Sequence, residues 1–310
     1  MKTSPIVPGT QPRFVALFAA MVLLSGCAAA QTNAAAPTAG EAWSRIQKRY
    51  LPAAPPDTVD TLKAGDPATP VTGIVTTFLD TMAVLKEAVR LGDNLVISHE
   101  PTFYNHRDET KSLADDPVYK EKLAYIEQHH LVVYRLHDEI HADPSGDHIL
   151  KGVYEALGWT AYPHPSGPMG EYFVTIPQTT LGRLALTLKD TLHAQTMRVE
   201  GDPDLLVTHV ALIPGAAGRE EQIRALNAPG VEVLIAGEAS EWETVEYVRD
   251  AVTQGRKKAL ILLGHEVSEE PGMERAAKEL RLLFPGIRVD HVLAGQPLWS
   301  PEHPVKPGKF

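Results

Sequence analysis

The chain has 310 residues, a formal net charge of −10, and ordinary proportions of hydrophobic (44%) and charged (22%) residues. This length suffices for one large or two closely associated α/β-type domains, and this composition excludes wholesale disorder. A single cysteine excludes a disulfide framework and a thiolate-rich zinc site. There is no basic stripe, which argues against nucleic acid as a partner.

The N-terminus has the layout of a secretory signal peptide. A basic stretch precedes the apolar run Phe14–Leu24, which is too short to span a bilayer stably. The Leu24-Ser25-Gly26-Cys27 stretch resembles a bacterial lipobox, which implies removal of residues 1–26 and lipidation of Cys27. We therefore expect a lipid-anchored protein of the cell envelope, on the periplasmic face of the outer membrane. The alternative is an ordinary cleavable signal that ends in Ala28–Ala30 and removes Cys27.

Strand-like and helix-like patterns alternate along the rest of the chain. Short β-branched or apolar runs predict strands, and apolar residues at helical spacing predict helices. The predicted elements are a strand at 71–78, a helix at 81–90, strand 94–98, helix 117–130, strand 131–136, helix 146–157, a strand–helix–strand stretch within 171–200, strands 207–213 and 231–236, helix 242–254, strand 258–263, helix 273–284 and strand 287–293. This alternation predicts an α/β fold with mixed or largely parallel sheets flanked by helices.

The predicted elements fall into two similar α/β halves, at 46–165 and 205–300, with a small inserted subdomain at 166–204. Residues 27–45 are rich in alanine, and we expect them to form a flexible tether behind the lipid anchor. Residues 301–310 are expected to be a C-terminal tail.

Three predicted strands end in clusters of histidine and acidic residues. His99-Glu100 follows strand 94–98, His137-Asp138-Glu139-Ile140-His141 follows strand 131–136, and the stretch from His265 to Glu269 follows strand 258–263. Sites in open α/β sheets lie just past the carboxyl ends of the strands, and imidazole with carboxylate suits Zn²⁺, Mn²⁺, Fe²⁺ or Co²⁺. A single histidine at a strand end is more often a hydrogen-bonded loop residue, but three such clusters together favour a metal site.

The same blocks resemble the NIF-three-like dinuclear metal-centre family, which is also labelled GTP cyclohydrolase I type 2. The resemblance is carried by the stretches Asn94–Pro101, Val133–His137, Glu155–Gly158, Ile235–Glu238 and Leu263–Glu269. It implies homo-oligomers, often hexamers, and two divalent metal ions, which would be Zn, Mn or Fe.

The implied metal ligands are His99, Glu100, His141, His265 and Glu269. Three of them match the family pattern directly, whereas Glu100 stands where a second histidine is expected and His141 stands where an aspartate is expected. These two departures are complementary, since three imidazoles and two carboxylates remain. We therefore expect metal binding to be retained. The sequence does not assign a role to His137.

The hypothesis that follows is a dinuclear-metal hydrolase of an unknown small-molecule substrate. Two ions about 3.5–4 Å apart can share a water whose pKa falls towards 7. Glu269 is the bridging candidate because a carboxylate has two oxygens to share, and Glu266, Asp138 and Glu139 are candidates for relaying protons. We do not expect GTP cyclohydrolase activity, which one of the family's labels suggests, because GTP is scarce outside the cytoplasm. The alternative is a non-catalytic metal-binding or scaffold lipoprotein.

Overall fold

The computed structural model of the protein describes residue 1 and residues 36–50, 55–165 and 169–301. The lipobox that we predict around Cys27 and most of the C-terminal tail lie outside these ranges. Among the described residues, no helix is both long enough and apolar enough to cross a lipid bilayer.

The described residues form two five-stranded sheets flanked by helices, which confirms the predicted α/β class. The strands are β1 (Leu62–Ala64), β2 (Ile74–Thr77), β3 (Leu95–Ser98), β4 (Val132–Arg135), β5 (Phe173–Thr180), β6 (Arg198–Glu200), β7 (Leu206–Ile213), β8 (Val233–Ala236), β9 (Ala259–Leu262) and β10 (Val289–His291). The helices are α1 (Ala39–Tyr50), α2 (Met82–Leu91), α3 (Pro117–Gln128), α4 (Asp138–His141), α5 (His148–Leu157), α6 (Leu181–Thr191), α7 (Arg219–Leu226), α8 (Glu246–Thr253) and α9 (His265–Leu283). A π-helix at Glu241–Val245 precedes α8.

The first sheet has the strand order β1-β4-β3-β2-β10. Its four strands from β4 to β10 are parallel, and the short edge strand β1 is antiparallel to β4. Every residue of β2, β3 and β4 is buried, as expected for parallel strands that are covered on both faces.

The second sheet has the order β5-β7-β8-β9-β6. Its central strands β7, β8 and β9 are parallel, and both edge strands are antiparallel to their neighbours. The strand–helix–strand stretch that we predict within 171–200 is present as β5, α6 and β6. Its two strands form the opposite edges of this sheet.

The end of the chain returns to the first sheet through the long helix α9. After β9, this helix crosses over, and the final strand β10 then pairs in parallel with β2. The sequence predicts a helix at 273–284, and the four-residue spacing of His265 and Glu269 fits a separate helical turn that begins at Gly264. Pro271 lies between these two stretches, and proline lacks the amide hydrogen that a helix interior needs. In the structure α9 begins at His265 and continues through Pro271.

Helix α9 crosses α5 at two glycines that lie in direct contact. A Cβ atom on Gly152 would lie 2.5 Å from the Cα of Gly272, and one on Gly272 would lie 2.5 Å from the Cα of Ile149. The same helix buries Val267 in the core of the second sheet and Met273 in the core of the first. The crossing therefore holds the first turn of α9 between the two sheets.

Helix α1 begins within the segment 27–45 that we expected to be a flexible tether, so that expectation extends too far. Thr38 and Glu41 form a capping box, in which each side chain accepts a hydrogen bond from the other's backbone amide. Trp43 is buried and stacks on Tyr134 of β4 at a centroid distance of 4.8 Å. This apolar face packs the helix into the first core.

Candidate metal site

The carboxyl ends of the central strands from both sheets meet around one group of side chains. His99 follows β3, and His137 follows β4 in the first sheet. In the second sheet, Gly215 follows β7, Glu238 follows β8 and His265 follows β9. The side chains that the sequence places at these strand ends therefore lie together, and they come from both sheets.

Four imidazoles and two carboxylates converge there. They belong to His99, Glu100, His137, His141, His265 and Glu269. Ligand atoms of His99, His137 and His141 all lie within 4.8 Å of one another. The same holds for His99, Glu100 and Glu269. The structure thus brings together all five of the ligands implied by the sequence and adds His137.

The distances between donor atoms suit a metal ion. The Oε2 atom of Glu269 lies 3.3 Å from His99 Nε2 and 3.1 Å from His265 Nε2. The Oε1 atom of Glu100 lies 3.5 Å from His265 Nε2 and 3.6 Å from His137 Nε2. Tetrahedral ligands at about 2.0–2.1 Å from zinc are separated by about 3.3–3.4 Å. The spacing is therefore close to that of ligands around one cation.

Two buried atoms of this group have no hydrogen-bond partner among the described residues. His99 is completely buried, Glu269 is almost so, and the unpaired atoms are His99 Nε2 and Glu269 Oε2. Leaving such atoms unsatisfied costs free energy, about 1–3 kcal/mol for each group. A divalent cation would satisfy both, so the residues present fit a metal ion.

Each imidazole is held by its other ring nitrogen. The Nδ1 atoms bond to Leu136 O for His99 (2.9 Å), Asp138 Oδ1 for His137 (2.9 Å), Asp147 Oδ2 for His141 (2.8 Å) and Glu238 Oε1 for His265 (2.9 Å). Carbonyl and carboxylate oxygens only accept, so each Nδ1 donates. This arrangement leaves Nε2 as the atom of each ring that would bind an ion, as in most histidine metal sites.

Two helix starts place the ligands. His265 and Glu269 are four residues apart in the first turns of α9 and share one face, as their spacing predicts. His137 and His141 have the same separation around the short helix α4. Buried Asp60 accepts hydrogen bonds from the backbone amides at 137, 138 and 139, which holds the start of α4 in place.

Several residues of the site were missed by the sequence analysis. Asp147 and Glu238 anchor imidazoles, and only Glu238 lies in a motif that we had singled out. Gly215 belongs to a glycine-rich turn that reads from sequence as a plain loop. With a φ of +69°, it approaches the carboxylate of Glu269 so closely that a Cβ atom would collide with Oε1. His106, for which the sequence shows no partner, packs edge-on against His137.

The three acids considered as proton relays have different surroundings. Asp138 accepts one hydrogen bond from His137 and one from the Thr58 hydroxyl, so it serves as an anchor. Glu139 is buried and accepts a hydrogen bond from Gln47. Burial and the neighbouring Glu270 raise the pKa of Glu266 to about 7.

The protonation of the site is set by burial and by carboxylates. Burial lowers the pKa of His137 to about 4. Burial also opposes charge on His141, but Asp147 and the nearby acids raise its pKa to about 9. Similarly, the carboxylates around His265 outweigh burial and raise its pKa to about 12. In Glu269, burial is outweighed by His99 and His265, which hold the carboxyl pKa well below its usual range.

Comparison with known proteins identifies relatives over most of the chain. A model of the family described as Duf34/NIF3 (NGG1p interacting factor 3) matches residues 51–296. A GTP cyclohydrolase 1 type 2 homolog from Clostridium acetobutylicum is 24% identical over 231 residues, which cover 71% of this chain and 80% of that protein.

Solved structures share the fold. The crystal structure of a Bacillus cereus protein related to NIF3 has a TM-score of 0.71 at 16% identity, covering 86% of this chain and 100% of that chain. The crystal structure of a Staphylococcus aureus protein has a TM-score of 0.67 at 18% identity, covering 85% of this chain and 98% of that chain.

The contact between Gly215 and Glu269 predicts a selective effect on metal binding. We expect Gly215→Ala to displace the Glu269 carboxylate and to weaken Zn²⁺ binding about 10- to 100-fold, the range for changes around metal ligands. Gly218→Ala is the matched control, because Gly218 also has a positive φ but nothing lies within 4 Å of its Cβ position. Equal losses of affinity in the two variants, measured by chelator competition, would contradict the prediction.

The protonation of His141 and His265 predicts that metal binding strengthens as pH rises. Both imidazoles hold a proton at pH 7 in the absence of a cation, and a metal ion binds only the neutral form. Affinity should therefore rise from pH 6 to 8, with release of about two protons on binding. Titration calorimetry in buffers of different ionisation enthalpy measures this number. His141→Asp should release one proton fewer, and binding heats independent of buffer would refute the prediction.

Proposed function

Because this chain belongs to the Duf34/NIF3 family and gathers four imidazoles and two carboxylates at one site, we propose that it is a metal-dependent hydrolase with two divalent ions. The observation that carries the proposal is the anchoring of all four imidazoles through Nδ1, which directs their Nε2 atoms to a common centre. A set of free surface histidines would not have this shared orientation.

Six donor residues are more than one tetrahedral ion takes, and this supports two ions. We propose that one ion is held by His99, His137 and His141. The other is held by Glu100, His265 and Glu269. The Nδ1 of His99 is hydrogen-bonded to the carbonyl of Leu136, so only its Nε2 can bind an ion and the ring serves one ion. Glu269 Oε2 lies near imidazoles of both sets, which supports its role as the bridging carboxylate.

The case for hydrolysis rests on an open coordination position. Catalytic zinc sites usually have three protein ligands, and the remaining position takes water or substrate. With Glu269 counted as the bridge, the ion of His99, His137 and His141 would have four protein ligands, whereas the ion of Glu100, His265 and Glu269 would have three and keep an open position. Divalent ions bound in this way lower the pKa of water and polarise the substrate oxygen under attack. The side chains of His137, His141 and His265 are 22%, 26% and 24% exposed, so one side of the site faces solvent. Buried His99 and Glu269 form its floor.

The location and assembly of the protein complete the proposal. We propose that a lipid on Cys27 attaches it to the cell envelope, on the periplasmic face of the outer membrane. The lipobox-like sequence before Cys27 supports this anchor. Family membership supports a homo-oligomer, with a hexamer as the specific expectation.

Metal content tests the proposed function. The purified protein is expected to hold two Zn²⁺ or Mn²⁺ ions per chain by elemental analysis. Removing them should lower Tm, since an ion that binds only the folded state stabilises it by about 2.7 kcal/mol at a hundredfold excess over Kd. His265→Ala and Glu269→Ala should each lose metal. His209→Ala is the control, because His209 also lies beside a carboxylate, that of Glu232, but in the middle of β7 rather than after its carboxyl end.

Turnover is then measured on phosphoesters, amides and cyclic nucleotides with the loaded protein. Hydrolysis that is lost in Glu269→Ala but kept in His209→Ala supports the proposal. Two bound ions without turnover on any of these substrates would favour a non-catalytic metal-binding lipoprotein. Absence of bound metal would refute both functions.

A cysteine variant tests the anchor. Replacing Cys27 with alanine removes the thiol that would be lipidated, so the variant should appear in the soluble fraction or remain unprocessed. The measurement is fractionation of cells that express each form, with mass spectrometry of the N-terminus. A fully processed variant that stays on the membrane would rule out lipidation at this position.

A further inference from the structure

The side chain of Arg135 lies completely buried beside the candidate metal site. It is the last residue of β4. Its Nε donates to the carbonyl of His99 at 2.9 Å, and one terminal nitrogen donates to the carbonyl of His106. The other terminal nitrogen donates to Glu100 Oε2 at 3.3 Å. The guanidinium therefore binds the segment that carries two of the proposed ligands.

This contact divides the two oxygens of Glu100 between different partners. Oε2 faces Arg135, whereas Oε1 faces the Nε2 atoms of His137 and His265. Only Oε1 is directed at the other donors. Glu100 therefore offers the site one oxygen rather than two.

The charge of Glu100 is balanced by the same contact. An arginine keeps its proton in proteins, so Arg135 is a permanent cation. The other carboxylate near it, Asp108, is 4.0 Å away and forms a closer ion pair with Lys63 at 3.1 Å. With Asp108 compensated by Lys63, the pair of Glu100 and Arg135 has no net charge.

We propose that Glu100 and Arg135 together act as one neutral ligand with a single donor atom, and that Arg135 is the positioning residue that sets the metal preference of the site. In donor number and charge such a pair is equivalent to an imidazole. The inference rests on the proposed metal binding. It adds that Arg135, which would touch no ion itself, determines which cation the site prefers.

Removing the guanidinium should change which cation binds best. Without Arg135, Glu100 presents both oxygens and an uncompensated negative charge. Carboxylate-rich, charged sites suit Mn²⁺, whereas imidazole-rich sites suit Zn²⁺. The affinity for Mn²⁺ should therefore rise relative to that for Zn²⁺.

The test measures the ratio of the Mn²⁺ and Zn²⁺ dissociation constants by chelator competition with the full chain. We expect Arg135→Met to shift this ratio at least about tenfold towards Mn²⁺, and Arg135→Lys to shift it less, since lysine keeps the charge without the planar fork. Arg288→Met is the control, because Arg288 pairs with Asp93, which lies at the end of β3 opposite to His99. If Arg135 had a merely structural role, its replacement would weaken the binding of Mn²⁺ and of Zn²⁺ by the same factor.

The double variant Glu100→His with Arg135→Met provides an independent check. It replaces the neutral pair by one imidazole, so it should bind Zn²⁺ at least about tenfold better than Glu100→His alone, in which Arg135 faces the cations uncompensated. If Arg135→Met does not fold, the ratio measured for Arg135→Lys decides.

An unchanged ratio in Arg135→Met and Arg135→Lys would overturn the inference while leaving the metal site in place. A double variant no better than Glu100→His alone would also overturn it. If the unmodified protein binds neither cation, the proposed function fails first and the inference falls with it.

Discussion

The contact between Gly152 and Gly272 is the constraint on which the site depends. Helix α9 leaves the second sheet, crosses α5 at these glycines and ends beside the first sheet. Because neither position has room for a Cβ atom, the two helices approach closely enough for the first turn of α9 to face the end of β3. That approach brings His265 and Glu269 to His99. The site is therefore assembled between two sheets.

Charge is the second constraint, because the site holds many ionisable groups away from bulk water. Burying an ion without partners is costly, and here each imidazole has an oxygen acceptor behind it. The acids Asp138, Asp147 and Glu238 thus fix ring orientation and stabilise positive charge. A cation bound at the centre would replace the protons that His141 and His265 otherwise hold. Binding of a cation would therefore be coupled to the release of these protons.

The two substitutions relative to the family pattern that we inferred from sequence have different environments. His141 is anchored by Asp147, so an imidazole at this position is fixed in the same way as the others. Glu100 is instead held by Arg135, which takes up one of its oxygens. Each unusual ligand is thus accompanied by a residue that matches its chemistry. This pairing is the physical reason behind the proposal that metal binding is retained.

Strand and helix patterns were predictable from the sequence because buried parallel strands are short apolar runs, and most predicted elements have counterparts in the structure. The continuation of α9 through Pro271 was not, since a proline normally signals a helix boundary. The next residue, Gly272, packs directly against α5. The helical character of Ala39–Tyr50 was obscured by the alanine-rich segment before it.

The α/β class and the grouping of histidines and acids at three strand ends could be inferred from the sequence, since both depend on local order along the chain. The tertiary structure alone decided that β10 joins the first sheet, and that Asp147, Gly215 and Arg135 lie against the proposed ligands. These contacts join residues that come together only when two sheets and a crossing helix pack, and no spacing in the chain encodes that packing directly.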